Sequence, residues 1–283
     1  MRGSRTYQTE AIVIKKTRLG EADRILTFYT PDMGKIQGVA KGVRRPKSKL
    51  SGHLELLTHS MIFLVHGRNL DTIVGSQNIE SFLPLKSDLE LGAYALYATE
   101  LVYQFGAERQ ENRRLFSLLL EIMQQLCRQK TADGSRPAVG ASQLRANGNN
   151  QEISGILRYF ELHLLEEVGY RPQLGQCVSC RKVLPDTTNY FSASSGGMVC
   201  PDCRLKHTYT YPISPSALKS LRLLQDSDWS AISELSRDMD IHREMEFMLR
   251  NYLKYLLERD VRSVAWLDTL RHMPVYNHQP PMQ

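Results

Sequence analysis

The 283-residue chain lacks the signatures of the common catalytic classes. It has no G-x-x-x-x-G-K-[ST] loop to cradle nucleotide phosphates and no G-x-G-x-x-G turn for a dinucleotide. A G-x-S-x-G elbow and an H-E-x-x-H helix are missing too. No stretch reaches the ~18 uninterrupted apolar residues that a membrane-crossing helix requires. The opening MRGSRTYQTE has no apolar signal core, so the expected location is cytoplasmic. Cysteine is scarce: five residues, four of them in two tight pairs, which in that compartment point to a metal rather than to disulfides. Acids are scarce in one region only. Residues 1–50 carry twelve Lys or Arg against four acids, an excess larger than the net +6 of the whole chain. The positive field is therefore concentrated in the N-terminal fifth, a bias toward acidic partners.

What is present falls into stretches of different period. From Gln8 to Glu80 the pattern is strand-like. EAIVIKK (from Glu10) is a short β-branched run, and ADRILTFYT (from Ala22) follows. Pro31-Asp32-Met33-Gly34 is a turn, and KIQGVAKG is a third strand. Leu54 to Gly67 and Leu70 to Glu80 supply two more, joined through Gly67-Arg68-Asn69. Five strands in so short a span predict a small antiparallel barrel or sandwich.

After Pro84 the apolar spacing changes to that of helices. Ser87-Asp88-Leu89-Glu90 has the form of a capping box with Ser87 as N-cap. Helices are expected from there through Val102, from about Asn112 to Arg128, and from about Glu152 to Val168, the last stopped by Gly169 and Pro172. Between the last two, residues 130–151 are rich in Gly, Ala, Ser and Asn and predict a mobile insertion. Ser214-Pro215 starts a further helix, and Asp240 to Arg259 makes a last long one, with Ile241, Met245, Met248, Tyr252 and Leu256 in register. Cys127, among Leu119, Ile122 and Leu126, is a small buried hydrophobe.

The most specific signal is Cys177-x-x-Cys180 followed by Cys200-x-x-Cys203, spaced C-x2-C-x19-C-x2-C. Two residues between thiols let one chain reversal aim both sulfurs at one tetrahedral ion. Two such knuckles complete a four-thiolate Zn²⁺ shell, which leaves no position for water and is therefore structural. A competing reading takes His53-Leu54-Glu55 with a CxxC pair as a deaminase centre. Val199 stands where that motif needs Pro, and the second pair would have no role. Glu10, Glu21 and Asp23 lack a third acid at metal-binding spacing, and His59 and His66 belong to a strand. No catalytic constellation emerges.

The stretch GVAKGVRRPKSKLSG (from Gly38) carries Lys41, Arg44, Arg45, Lys47 and Lys49 without an acid; taken alone, it is a solvated loop. Set beside EAIVIKKTRLGEADRILTFYTPDMGKI, the helix end LLEEVGYRP and the knuckle SGGMVCPDC, it closely resembles the bacterial recombination-mediator family RecO, from Tyr7 to about Leu270. The resemblance implies an α+β multidomain chain: an OB-fold barrel over residues 1–82, a helical domain over 83–172 and 213–283 that ends in a tail, and a zinc ribbon inserted at 173–212. It implies a non-enzymatic protein that binds single- and double-stranded DNA and anneals complementary strands. Joint action with RecR, relieving the block that single-strand-binding protein imposes on recombinase loading, is implied too, as is work at the nucleoid.

In an OB-fold, single strands lie in a positive groove with aromatic stacking. Lys15, Lys16, Arg18, Arg24 and Lys35 can join the basic loop there. Tyr7, Phe28 and Tyr29 are the only nearby aromatics, and core packing is their expected role. Phosphate contacts should then dominate, with weak sequence preference and steep salt dependence. The rival from another class is a protein–protein adaptor built on the zinc ribbon, with the basic loop incidental.

Overall fold

The computed structural model of the chain describes residues 5–45, 51–131 and 142–272. The AIVI run of the first strand is continuous, not alternating, because both of its faces are covered. Ala11 and Val13 pack inside a barrel with Leu26, Phe28, Ile36, Ile62, Leu64 and Ile73. Ile12 and Ile14 pack outward against helices.

The strands β1 (Thr6–Leu19), β2 (Asp23–Thr30), β3 (Gly34–Ala40), β4 (His59–Val65) and β5 (Asp71–Glu80) close in the order β1-β2-β3-β5-β4. This is the five-stranded arrangement of an OB-fold. The first half of β1 pairs with β4 and the second half with β2. A break in register between Val13 and Lys15 bends the strand where it passes from one partner to the other. The barrel is not wholly antiparallel as expected, since β3 and β5 pair in parallel and seal it. β4 is also shorter than the sequence suggested: a 3-10 turn at Ser51–His53 and an irregular stretch precede it.

Among the described residues seven α-helices follow: α1 (Leu83–Ser87), α2 (Leu89–Phe105), α3 (Arg113–Thr131), α4 (Ser142–Glu167), α5 (Pro215–Asp226), α6 (Met239–Leu257) and α7 (Arg262–His272). Three were read differently above. Ser87 ends α1 instead of capping α2; the cap is Asp88, whose carboxylate accepts the Glu90 and Leu91 amides. Pro84 belongs to the first turn of α1, where its missing N–H costs nothing. Helix α4 begins ten residues early, so residues 142–151 of the expected insertion are helical; residues 132–141 lie outside the described residues. Helix α7 follows the helix expected to end at Arg259, in a stretch where no helix was expected.

Other boundaries match the local chemistry. Asn112 Oδ1 accepts the Leu115 amide, and Ser214 Oγ accepts the Ala217 amide. At the end of α4, Gly169 adopts φ +83°, Tyr170 N donates to Leu165 O, and Gly169 N donates to Glu166 O. That is the Schellman pattern.

One buried ionic network ties the helices together. Arg158 and Glu161 of α4 pair at 2.7 Å with no solvent access to the carboxylate. Tyr97 of α2 donates to the same carboxylate at 2.6 Å, and Arg158 approaches Glu246 of α6 at 3.9 Å. Arg250 carries the chain of charges to Glu246 and to Asp268 of α7. Between α4 and α5 lies a small sheet, β6 (Asn189–Ser192), β7 (Gly197–Val199) and β8 (Tyr211–Ile213), in the order β7-β6-β8. Its Phe191 packs edge-on to Tyr252 of α6, so the ribbon shares the helical core.

Candidate nucleic-acid interface and cysteine cluster

The β1–β2 hairpin and the segment after β3 build a basic rim on the barrel. Arg18 lies directly opposite Arg24, and Arg24 opposite Ala40, so register alone brings the two arginines beside the chain that continues into Lys41. Like charges facing each other across strands are unfavourable unless an anion or acid offsets them. Arg44 folds back onto the hairpin: its amide donates to Ala22 O and its guanidinium to Glu21 O, the latter at 2.8 Å. Asp23 accepts the Gly42 amide at 2.7 Å, and Val43 is buried in the barrel core. The segment is thus pinned to the barrel, with Lys41, Arg44 and Arg45 exposed. Of the acids weighed above as metal ligands, Asp23 holds the backbone at Gly42 through its carboxylate, Glu21 offers its main-chain carbonyl to the Arg44 guanidinium, and Glu10 pairs with His59 at 2.6 Å.

Lys16 ion-pairs with Glu55, and Arg24 lies 3.9 Å from the same carboxylate. Glu55 is the acid of the His-x-Glu triplet; in the fold it belongs to the barrel's charge cluster. Its field also favours the charged form of Lys86, whose pKa burial pulls below the ordinary value.

The eight candidate cations among the described residues do not form one groove. Lys16, Arg18, Arg24, Lys41, Arg44 and Arg45 share the rim. Lys15 and Lys35 instead line a cleft of about 590 Å³ between the barrel, α2 and the α6–α7 connection. Both ammonium groups stand over the Tyr103 ring, at 4.0 and 4.9 Å, and Lys35 donates to Tyr103 O at 2.8 Å. The irregularity at Val13–Lys15 is the cause, because it sets Lys15 beside Ile14 on the helix-facing side. Lys47 and Lys49 lie outside the described residues. Sequence reasoning missed Arg259 and Arg262, which line the same cleft. They come from the far end of the chain, and only the docking of α7 brings them in.

Aromatic platforms are few on the rim. Phe28 is in the barrel core, and Tyr29 is buried against the helices, its hydroxyl pKa pushed up to about 12 by burial. Tyr7 stacks on His66 and donates to Asp71 at 2.6 Å.

In the ribbon, Cys177, Cys180, Cys200 and Cys203 place their sulfurs within 4.8 Å of one another. Each knuckle is shaped by backbone bonds: Arg181 N donates to Cys177 O, and Cys203 N to Cys200 O. Burial opposes ionisation of Cys177, but amide donors from Cys180, Cys200 and Ser179 outweigh it and bring its thiol down to about 6. Cys203 is driven up to about 12, first by its bond to Cys200, and burial raises Cys200. Four thiolates so close cannot coexist without a cation among them, so the donor set fits a metal ion. Cys127 packs against the helical core, its thiol raised to about 11 by burial.

The fold and site define a two-part protein: an OB-like barrel with a basic rim, followed by a helical body carrying a four-cysteine ribbon. Residues 1–82 match the family described as "Recombination protein O N terminal", and residues 86–140 and 141–265 match "Recombination protein O C terminal". The DNA repair protein RecO of Dehalococcoides mccartyi (strain CBDB1) is 42% identical over 265 residues, spanning 94% of this chain and 96% of that protein. That of Roseiflexus sp. (strain RS-1) is 42% identical over 269 residues, 95% and 87% of the two chains. That of Pelotomaculum thermopropionicum is 32% identical over 268 residues, 95% and 96%. The chain belongs to the RecO family of DNA repair proteins. Among the described residues, no helix is long and apolar enough to cross a membrane.

Proposed function

We propose that this protein is a non-enzymatic mediator of recombinational repair that binds DNA through the barrel rim and anneals complementary strands. The observation that carries the reading is the cluster of Lys16, Arg18, Arg24, Lys41, Arg44 and Arg45 on one edge of the barrel, where the segment after β3 is pinned by hydrogen bonds to Glu21, Ala22 and Asp23. Cations without aromatic platforms grip phosphates and leave base edges free. A strand held in that way can still pair with its complement, which is what annealing needs. Double-stranded DNA offers the same phosphates, so both forms bind. Work alongside RecR to load a recombinase onto strands coated with single-strand-binding protein is inferred from family membership. One Zn²⁺, held by Cys177, Cys180, Cys200 and Cys203, is the metal that best suits a four-thiolate set. Its role is to hold the ribbon.

The test is charge reversal at Arg18, Arg44 and Arg45. Single-strand affinity at low salt should fall at least about tenfold, and the slope of log affinity against log salt should drop by roughly 0.7 per lost contact. Annealing, followed with single-strand-binding protein present and absent, should slow in parallel. Unchanged affinity would point to the adaptor reading, in which the ribbon contacts other proteins and the basic rim is incidental.

A further inference from the structure

We infer that the two cysteine knuckles of the ribbon form a second single-strand-binding surface, separate from the barrel rim. Each knuckle is followed at once by a cation–apolar triplet: Arg181-Lys182-Val183 after Cys180, and Arg204-Leu205-Lys206 after Cys203. Because the four sulfurs lie within 4.8 Å of one another, the two triplets emerge side by side from one centre. The ring of His207 ties them further, bonded through Nε2 to Ser179 Oγ at 2.6 Å and through Nδ1 to Ser195 Oγ at 3.3 Å.

Two properties mark the surface. In the helical body Arg113, Arg171, Arg243, Arg250 and Lys254 are each paired with a carboxylate, while Lys219 and Arg259 are, like the ribbon's cations, outside the ion pairs of the described residues. Among the described residues, none of Arg181, Lys182, Arg204 and Lys206 lies within ion-pair distance of an acid. Arg204 is instead held over the Tyr190 ring at 4.6 Å, which orients its guanidinium. The apolar residues between and beside these cations also project. Leu205 is 95% exposed, Tyr209 80% and Val183 76%.

Unpaired cations want a polyanion, and projecting apolar side chains want flat partners. A peptide side chain needs a recess to enter, which residues exposed to this degree do not make. Single-stranded DNA supplies both phosphates and unstacked base faces, and aromatic or apolar side chains interleaved with cations hold it by charge and stacking together. The reading rests on the proposal that this chain handles DNA strands, and it adds what annealing lacks: a place for the second strand. With one strand on the rim and its complement on the ribbon of the same molecule, pairing proceeds at an effective concentration rather than at the bulk one.

The experiment uses the full chain with metal bound. Lys182→Gln with Lys206→Gln removes two cations that are not adjacent to cysteines, and Leu205→Ala with Tyr209→Ala removes the projecting groups. Metal content and melting temperature are measured for both pairs. The lysine pair should lower the salt slope of single-strand binding by about 1.4. The Leu205→Ala with Tyr209→Ala pair should cost about fivefold or more in affinity, at least the stacking of one base. Short-oligonucleotide stoichiometry should fall from two per chain to one in either pair, and in the rim variant as well. Wild-type protein that binds DNA, with knuckle variants unchanged in slope, stoichiometry and annealing, would overturn the second surface and leave the rim reading standing. Wild-type protein that binds no DNA would overturn both. If the variants keep DNA binding but lose capture of a fluorescein-labelled Glu/Leu peptide, the surface is a peptide site and the inference fails.

Discussion

Glu55 decides how many cations of the basic rim lack a carboxylate neighbour. It is half exposed and holds Lys16 while facing Arg24, so on the proposed function it competes with phosphate for two cations. Glu55→Gln should therefore raise single-strand affinity by several-fold at low salt and steepen the salt dependence, about the gain of one further phosphate contact. The folding cost should stay below ~1 kcal/mol, because partly exposed ion pairs contribute little to stability. Equilibrium titrations at two salt concentrations, with a denaturant melt, check both halves. Affinity at or below wild type would mean that Lys16 and Arg24 do not meet DNA. Residue chemistry alone identified Lys16 and Arg24 as candidates. It could not show that Glu55 sits between them, since 39 residues separate Lys16 from Glu55 along the chain.

At the scale of elements, the ribbon and α7 illustrate opposite cases. The ribbon announces itself, because C-x2-C spacing is a local requirement of metal geometry. Cys177→Ser should abolish stoichiometric metal binding and loosen residues 173–212, seen as lost amide-exchange protection there and retained protection in β1–β5. Chelation of the wild-type protein should do the same. Protection that survives in the ribbon without metal would contradict a structural role. Helix α7, by contrast, has no cap of its own in sequence. Glu100 of α2 caps it from a distance, its carboxylate accepting the Arg262 and Ser263 amides at 3.0 and 2.8 Å. No local window could reveal a cap 162 residues away. The same blindness hid Arg259 and Arg262 from the list of cations. Asp88 shows a milder form, since Ser87 and Asp88 are both good caps, and α1, which ends at Ser87, settles which one serves.

Across the whole molecule, the Arg158–Glu161–Tyr97 group is the tie between α2 and α4, extended to α6 and α7 through Glu246, Arg250 and Asp268. Burial raises the Glu161 pKa above the ordinary carboxylate range, against the opposing pull of Arg158 and the Tyr97 hydroxyl. Glu161→Ala leaves a buried guanidinium without its nearest partner and should cost about 3–5 kcal/mol. The paired change Arg158→Met with Glu161→Leu should recover most of that loss, as measured by denaturant unfolding. A single variant as stable as wild type would show that the pair is not the tie it looks to be.

Local physical chemistry was enough to define the strands, the longer helices, the metal knuckles and the concentration of charge near the N-terminus. Each depends on neighbours a few residues apart: alternation, helical spacing, thiol spacing, like charges in a run. The division of the basic residues was decided only in three dimensions. A break in register within β1 turned Lys15 toward the helices, where it joined Lys35 above Tyr103, and left Lys16 and Arg18 on the rim with Arg44. Which face a charge occupies depends on where a strand bends to close a barrel, and that bend is imposed by partners far away in the chain.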